Sequence, residues 1–98
     1  MTTKTICSTD ISILDELLGT SVIVRSVTHY YVGVLSAYDD SLLLLDDAAW
    51  VADTGRWSVA LSTGAVNEVE PYPGKCILNR GAIVDLSPWN HSLLRTTK

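Results

Sequence analysis

The residues of this chain that could do chemistry are few and scattered. Asp39-Asp40 and Asp46-Asp47 are adjacent carboxylate pairs. General acid–base work needs two carboxylates converging on one point, and neighbours on an extended strand face opposite ways. Neither pair converges. His29 and His91 are the two imidazoles, and Cys7 and Cys76 the two thiols. With the aspartates they have the chemistry of a metal site. No H-x-x-H, H-x-x-x-H or C-x-x-C spacing joins them, so no metal is expected. Both histidines fall in an expected loop or tail, where exposure is the ordinary outcome. Asn79-Arg80-Gly81 reads as a tight turn presenting a guanidinium, a planar group suited to bidentate pairing or to stacking on a base. Tyr30, Tyr31, Tyr38, Trp50, Trp57, Tyr72 and Trp89 could also stack bases, as aromatics on single-strand platforms do. The competing role is apolar area in the core or at a subunit interface. There is no G-x-S-x-G, Walker loop or G-x-G-x-x-G. These residues support no enzyme and imply no cofactor.

Whatever positions them is one small domain. The chain has 98 residues, and at ~100–200 residues per domain a second independent core is not expected. It is 47% hydrophobic and 18% charged, against ~25% charged in an ordinary domain. That composition excludes a disordered chain and leaves few charges to cover a monomer. Part of the apolar surplus is expected to meet another subunit. The net charge of -4 argues against a generic cation-driven nucleic-acid binder. The acidity is uneven. Residues 1–49 hold two cations against seven acids, net -5, and residues 50–98 hold five against four, net +1. A local positive site must come from the second half. Cys7 and Cys76 read as reduced, buried thiols. No signal segment and no run of ~20 apolar residues is present, so the expected setting is cytoplasmic, without membrane contact.

The spacing of Ile11, Ile13, Leu14, Leu17 and Leu18 predicts a short amphipathic helix over 10–18. Ser12 with Asp15 has capping-box form, Thr9 or Asp10 could cap instead, and Gly19 suits the C-terminus. Residues 1–9 read as a loose arm. After Gly19 the β-branched and aromatic residues predict strands, with turns at 28–29 and 39–41. Gly33 falls inside the second strand, where glycine marks a bend or close backbone approach. Residues 42–45 are apolar without alternation, which predicts burial on both faces, one by the barrel interior and the other by the opening helix or a neighbouring subunit. Asp53-Thr54-Gly55-Arg56 reads as a hairpin turn between strands at 50–52 and 57–61, with Trp50 and Trp57 as a cross-strand pair. Residues 62–74 read mostly as an exposed connection, 76–78 and 83–86 as strands, and 90–98 as a tail. By this reading Gly33 and Gly81 need the absence of a Cβ, while Gly64 and Gly74 have room. Short strands, regular turns and a bending glycine together predict a small, strongly curved barrel.

The segment Tyr31-Val-Gly33-Val-Leu35-Ser-Ala-Tyr38-Asp39-Asp40 resembles the first motif of the Sm/LSm family, aromatic-x-Gly-x-Leu-x-x-aromatic-Asp. Leu43-Leu44-Leu45-Asp46-Asp47-Ala48 resembles its close. Ile77-Leu78-Asn79-Arg80-Gly81-Ala82-Ile83-Val84 is similar to the second motif, an Arg-Gly dipeptide between apolar strands. The resemblance covers about 10–53 and 75–87. It implies an all-β fold: a strongly bent, five-stranded, SH3-like open barrel behind a short N-terminal α-helix. The Sm-like domain would span 10–89, with an extended insertion at 50–74.

The resemblance also implies a homo-oligomeric ring of about five to seven subunits, with single-stranded RNA at its inner rim. Asp39, Ser41, Arg80 and Gly81 would line that rim, Asp39 orienting the Arg80 guanidinium through a bidentate pair. The chain departs from the family's RNA-binding pattern in one loop. Leu42 or Leu43 stands where those members carry a base-reading Asn, and Ser41 or its neighbour replaces the stacking side chain. RNA binding is therefore expected to be weak or selective. The alternative is a ring serving as a protein-interaction or assembly module without nucleic acid.

Overall fold

The structure, a computed structural model, describes residues 13–98. The expected arm, Cys7 and the first turn of the expected helix lie outside the described residues. The rest of that helix, Ile13–Leu17, is a 3-10 helix rather than an α-helix. Leu14 and Leu17 pack against the barrel core, as the predicted apolar face requires. Six strands follow: β1 Ser21–Ser26, β2 Tyr30–Tyr38, β3 Leu42–Asp53, β4 Glu68–Pro71, β5 Cys76–Asn79 and β6 Ile83–Pro88. All pairs are antiparallel, in the order β4-β3-β2-β1-β6, with β5 also on β3.

The bend is built at Gly33. Between Val32 and Val34, β2 advances two residues while β3 advances three, from Ala49 to Asp46. The surplus is a bulge, and Asp47 takes a positive φ of 50° in it. Such bulges kink and twist the strand that carries them. A Cβ on Gly33 would lie 3.0 Å from the Asp46 carbonyl oxygen and 3.1 Å from Ala48 Cα. Glycine lets the two backbones cross that closely. The kink divides β3 into halves with different partners: residues 42–45 pair with β5, and 49–53 with β4. The sheet thereby curls into an open barrel.

Two apolar cores result. The inner one gathers Val22, Val24, Leu35, Leu43, Leu45, Ala48, Cys76 and Leu78. The outer one, on the opposite face of the sheet, gathers Ile23, Val32, Ala49, Val51, Ala60, Val66, Val69 and Trp89. Val22, Ile23 and Val24 are consecutive and all buried, because β1 is covered on both faces. Residues 42–45 split by face. Leu43 and Leu45 are buried in the barrel, while Leu44 is half-buried and Leu42 is 42% exposed, so within one chain the second face of the β3–β5 pair is only partly covered.

The cover over the outer core corrects several expectations. Residues 57–61 are not a strand. Trp57–Thr63 is an α-helix, α1. Alternation of Trp57, Val59 and Leu61 with small residues imitates a strand, but β3 has no edge left there. Over 49–51 it is paired with β2 on one side and β4 on the other. The segment instead buries Ala60 and ends at Gly64, whose φ is 79° and whose N–H donates to the Ala60 carbonyl. Trp50 and Trp57 consequently form no cross-strand pair. Trp50 meets the His29 ring edge-on at 5.1 Å, and Trp57 lies 5.1 Å from Tyr30. The expected exposed connection contains β4 and the buried Val66 and Val69. The expected tail packs on the outer core through Leu93 and Leu94.

Candidate functional site at the two turns

Two turns meet where β2 gives way to β3 and β5 to β6. In the first, the Asp39 carboxylate accepts from the backbone N–H groups of Ser41 and Leu42, each at 2.8 Å. An aspartate that satisfies its own turn in this way pre-forms it. Those two hydrogen bonds, with a smaller contribution from Arg80, hold the Asp39 pKa below the ordinary carboxylate value. In the second turn, the Asn79 side chain accepts from Gly81 N–H at 2.8 Å, shaping a 3-10 turn over Arg80–Ala82. The turns are joined by Arg80 N–H donating to the Ser41 carbonyl at 2.8 Å.

Asp39, Ser41, Arg80 and Gly81 thus come together, but not through the expected bidentate pair. The Arg80 guanidinium donates to the backbone carbonyl of Asp39, because the carboxylate is already committed to its own loop. The guanidinium also sits 5.6 Å from the centroid of the Tyr38 ring, within cation–π range. Tyr38 is fixed from the other side, its hydroxyl donating to Asp15 at 2.6 Å. Arg80 borders a shallow cleft of about 220 Å³ whose other walls are Leu14, Leu43, Ile83 and Leu86. An apolar cleft beside a cation is chemically suited to a flat, polar-edged ring such as a nucleobase. Tyr38, Asn79 and Asp15 were each visible in the sequence, but not as residues that support this site. The Asn-x-Gly spacing at 79–81 carried the signal for the Asn79 turn, while the Tyr38–Asp15 contact joins distant positions with no local signature.

Gly81 does not require the absence of a Cβ as expected: its φ is not positive. Its substituent would meet one side-chain atom, Asn79 Oδ1, at 3.3 Å. Gly64 was expected to have room and has none. A Cβ there would lie 2.7 Å from Cγ of His91, at a φ of +79°. His91 itself is half-buried. Its Nε2 hydrogen-bonds the Leu61 carbonyl at 2.8 Å, which makes Nε2 the protonated donor, and its ring packs edge-on to Trp89 at 5.0 Å. Among the described residues, no three His, Cys, Asp or Glu side chains converge as metal ligands. Asp46 and Asp47 diverge, one to Lys75 at 2.6 Å and the other to Arg95 at 3.1 Å. Cys76 is a buried free thiol, its pKa pushed up by burial. Burial also pushes Tyr72, beside it, up to about 12. No described helix is long and apolar enough to cross a membrane.

No family model matches the chain, and no curated protein matches it. Solved structures do. A heptameric archaeal Sm protein aligns with a TM-score of 0.57 at 23% identity, over 76% of this chain and 93% of its own. The chain has an Sm-like fold. The P. aerophilum SmAP1 heptamer aligns with the same TM-score and identity, over 76% of this chain and 85% of its own. Within that Sm-like fold, Gly33 marks the strand bend and Arg80-Gly81 the turn between the last two strands. These are the positions on which the sequence resemblance rested.

Proposed function

We propose that this chain is a subunit of a homo-oligomeric ring of about five to seven copies, and that its inner rim takes single-stranded RNA through Arg80 and Gly81 with Asp39 and Ser41. One observation carries the reading. Among the described residues β5 pairs with β3 alone and β6 with β1 alone, so the barrel is open between two unpaired edges. Unpaired edges invite strand addition, and a head-to-tail contact repeated around an axis closes into a ring. Ile77 on β5 is 63% exposed and Val84 on β6 58% exposed, apolar side chains placed to be covered by that contact. The heptameric assembly of the two Sm structures supports the same geometry. The joined turns would then repeat around the central opening, each offering a guanidinium beside an apolar cleft.

A second reading keeps the ring without RNA, as a protein-assembly module in the cytoplasm. It is favoured by the commitment of the Arg80 guanidinium to the Asp39 carbonyl. Titration of oligo(U) at two salt concentrations, with Arg80→Ala beside the parent chain, separates the readings. The RNA reading predicts salt-sensitive binding that Arg80→Ala abolishes, with a nearly unchanged melting temperature. No binding by the parent, together with a stability loss of about 1 kcal/mol in Arg80→Ala, would leave Arg80 as a clamp between turns and favour the module.

A further inference from the structure

The segment after β6 lies on the outer core as a strap with two unlike parts. Trp89 is its fixed end: it is 3% exposed and its N–H donates to the Ser21 carbonyl at 2.8 Å. His91 is also tied down, its Nε2 donating to the Leu61 carbonyl at 2.8 Å, and beyond His91 the hold is light. Residues 89–98 form no regular helix or strand, and Leu93 and Leu94 are only half-buried. Arg95 meets Asp47 in an ion pair whose partners are 66% and 54% exposed, a kind that holds little. The far end makes a specific contact. Lys98 N–H donates to the Val69 carbonyl at 3.0 Å, and Val69 N–H donates to the Lys98 carbonyl at 3.1 Å.

That reciprocal pair is one rung of an antiparallel ladder, made on β4, the edge strand of the sheet. An extended segment that adds to a sheet edge and seats apolar side chains beside it is the geometry of β-strand addition. Here the chain supplies the segment itself. The receiving surface has a sign as well as a shape. Asp47 meets Arg95 there at 3.1 Å, and both charged residues of the strap, Arg95 and Lys98, are basic.

We propose that the β4 edge and the outer core beneath residues 93–98 form a docking site for an extended segment of a partner protein. The fitting segment carries two adjacent apolar residues followed by a basic one. The chain's own residues 93–98 occupy the site as a self-ligand that such a segment displaces, and Trp89 stays in place as the hinge anchor. This inference does not depend on the ring or on RNA.

A fluorescent peptide with the sequence of residues 90–98 is the probe, titrated into two 98-residue chains. One is the parent and the other carries Leu93→Ser, Leu94→Ser and Arg95→Glu. A self-ligand lowers apparent affinity by the fraction of molecules in which it is released. The folded variant should therefore bind the probe at least about tenfold more tightly than the parent, which corresponds to a strap released about a tenth of the time or less. A peptide carrying the same three changes should not bind. Equal binding by both chains, or none by a variant that keeps the parent's circular dichroism, overturns the proposal. A second measurement uses the parent alone and covers a variant that fails to fold. Excess probe should move the Leu94 and Lys98 amide resonances toward released positions, and resonances that stay fixed at saturating peptide overturn the proposal. Mass-labelled parent chains that trade straps to form mixed dimers would assign the groove to a second copy and also overturn it.

Discussion

Asp39 and the glycines show how single atoms decide local structure. Asp39 is exposed, yet its carboxylate organises a turn by accepting two backbone N–H groups. Its pKa is depressed in the folded chain, so the ionised form is favoured by folding. The stabilisation is present above the unfolded value of ~3.9 and is lost as pH falls through the lower folded value. The gap in melting temperature between the parent and Asp39→Ala should therefore be widest near neutrality and narrow on going below about pH 4. A gap that widens in acid would contradict this assignment. Among the glycines, Gly33 is crowded by backbone, and Gly64 combines a positive φ with the His91 side chain. Nothing lies within 4 Å of a Cβ at Gly74. Gly33→Ala and Gly64→Ala should each lose at least ~1–2 kcal/mol, while Gly74→Ala should be neutral or gain up to ~1 kcal/mol. Three thermal melts check the order, and a sensitive Gly74 would show the crowding to be misplaced.

At the scale of elements, the outer core is what α1 and the strap are for. Trp89 joins β6 to that core and is nearly inaccessible. Its replacement by Ala should cost ~3–5 kcal/mol, the usual loss for a large buried aromatic. Denaturant unfolding would read this directly, and a loss under 1 kcal/mol would mean that the strap closes the cavity or contributes little. The strands of the barrel other than β4 were legible in sequence because β-branched runs, turn residues and Gly33 all pointed to the same arrangement. The segment at 57–61 was not, because Trp57, Val59 and Leu61 alternate as a strand would. The decisive fact was remote: both edges of β3 were already paired there. The strap was hidden for the same reason, since Leu93, Leu94 and Lys98 acquire partners only once α1 and β4 exist. The two turns of the candidate site were visible through Asp39 and Arg80-Gly81. The route of the guanidinium to a carbonyl was not, because carboxylate competition inside the first turn is a matter of geometry rather than residue type.

At the scale of the whole molecule, the composition and the fold agree. A chain with 18% charged residues leaves Leu42, Ile77 and Val84 exposed, and the barrel is open between β5 and β6. Because Ile77 is 63% exposed in the single chain, Ile77→Asp should change the stability of one subunit by no more than ~0.5 kcal/mol. In a ring the same carboxylate would be buried at the strand contact and should prevent assembly. Native mass spectrometry of the parent chain, recorded over a dilution series and beside Ile77→Asp, tests the ring most directly. The account predicts one closed species of fixed subunit number for the parent, stable on dilution, and a monomer for Ile77→Asp. A parent chain that is monomeric at every concentration would contradict it.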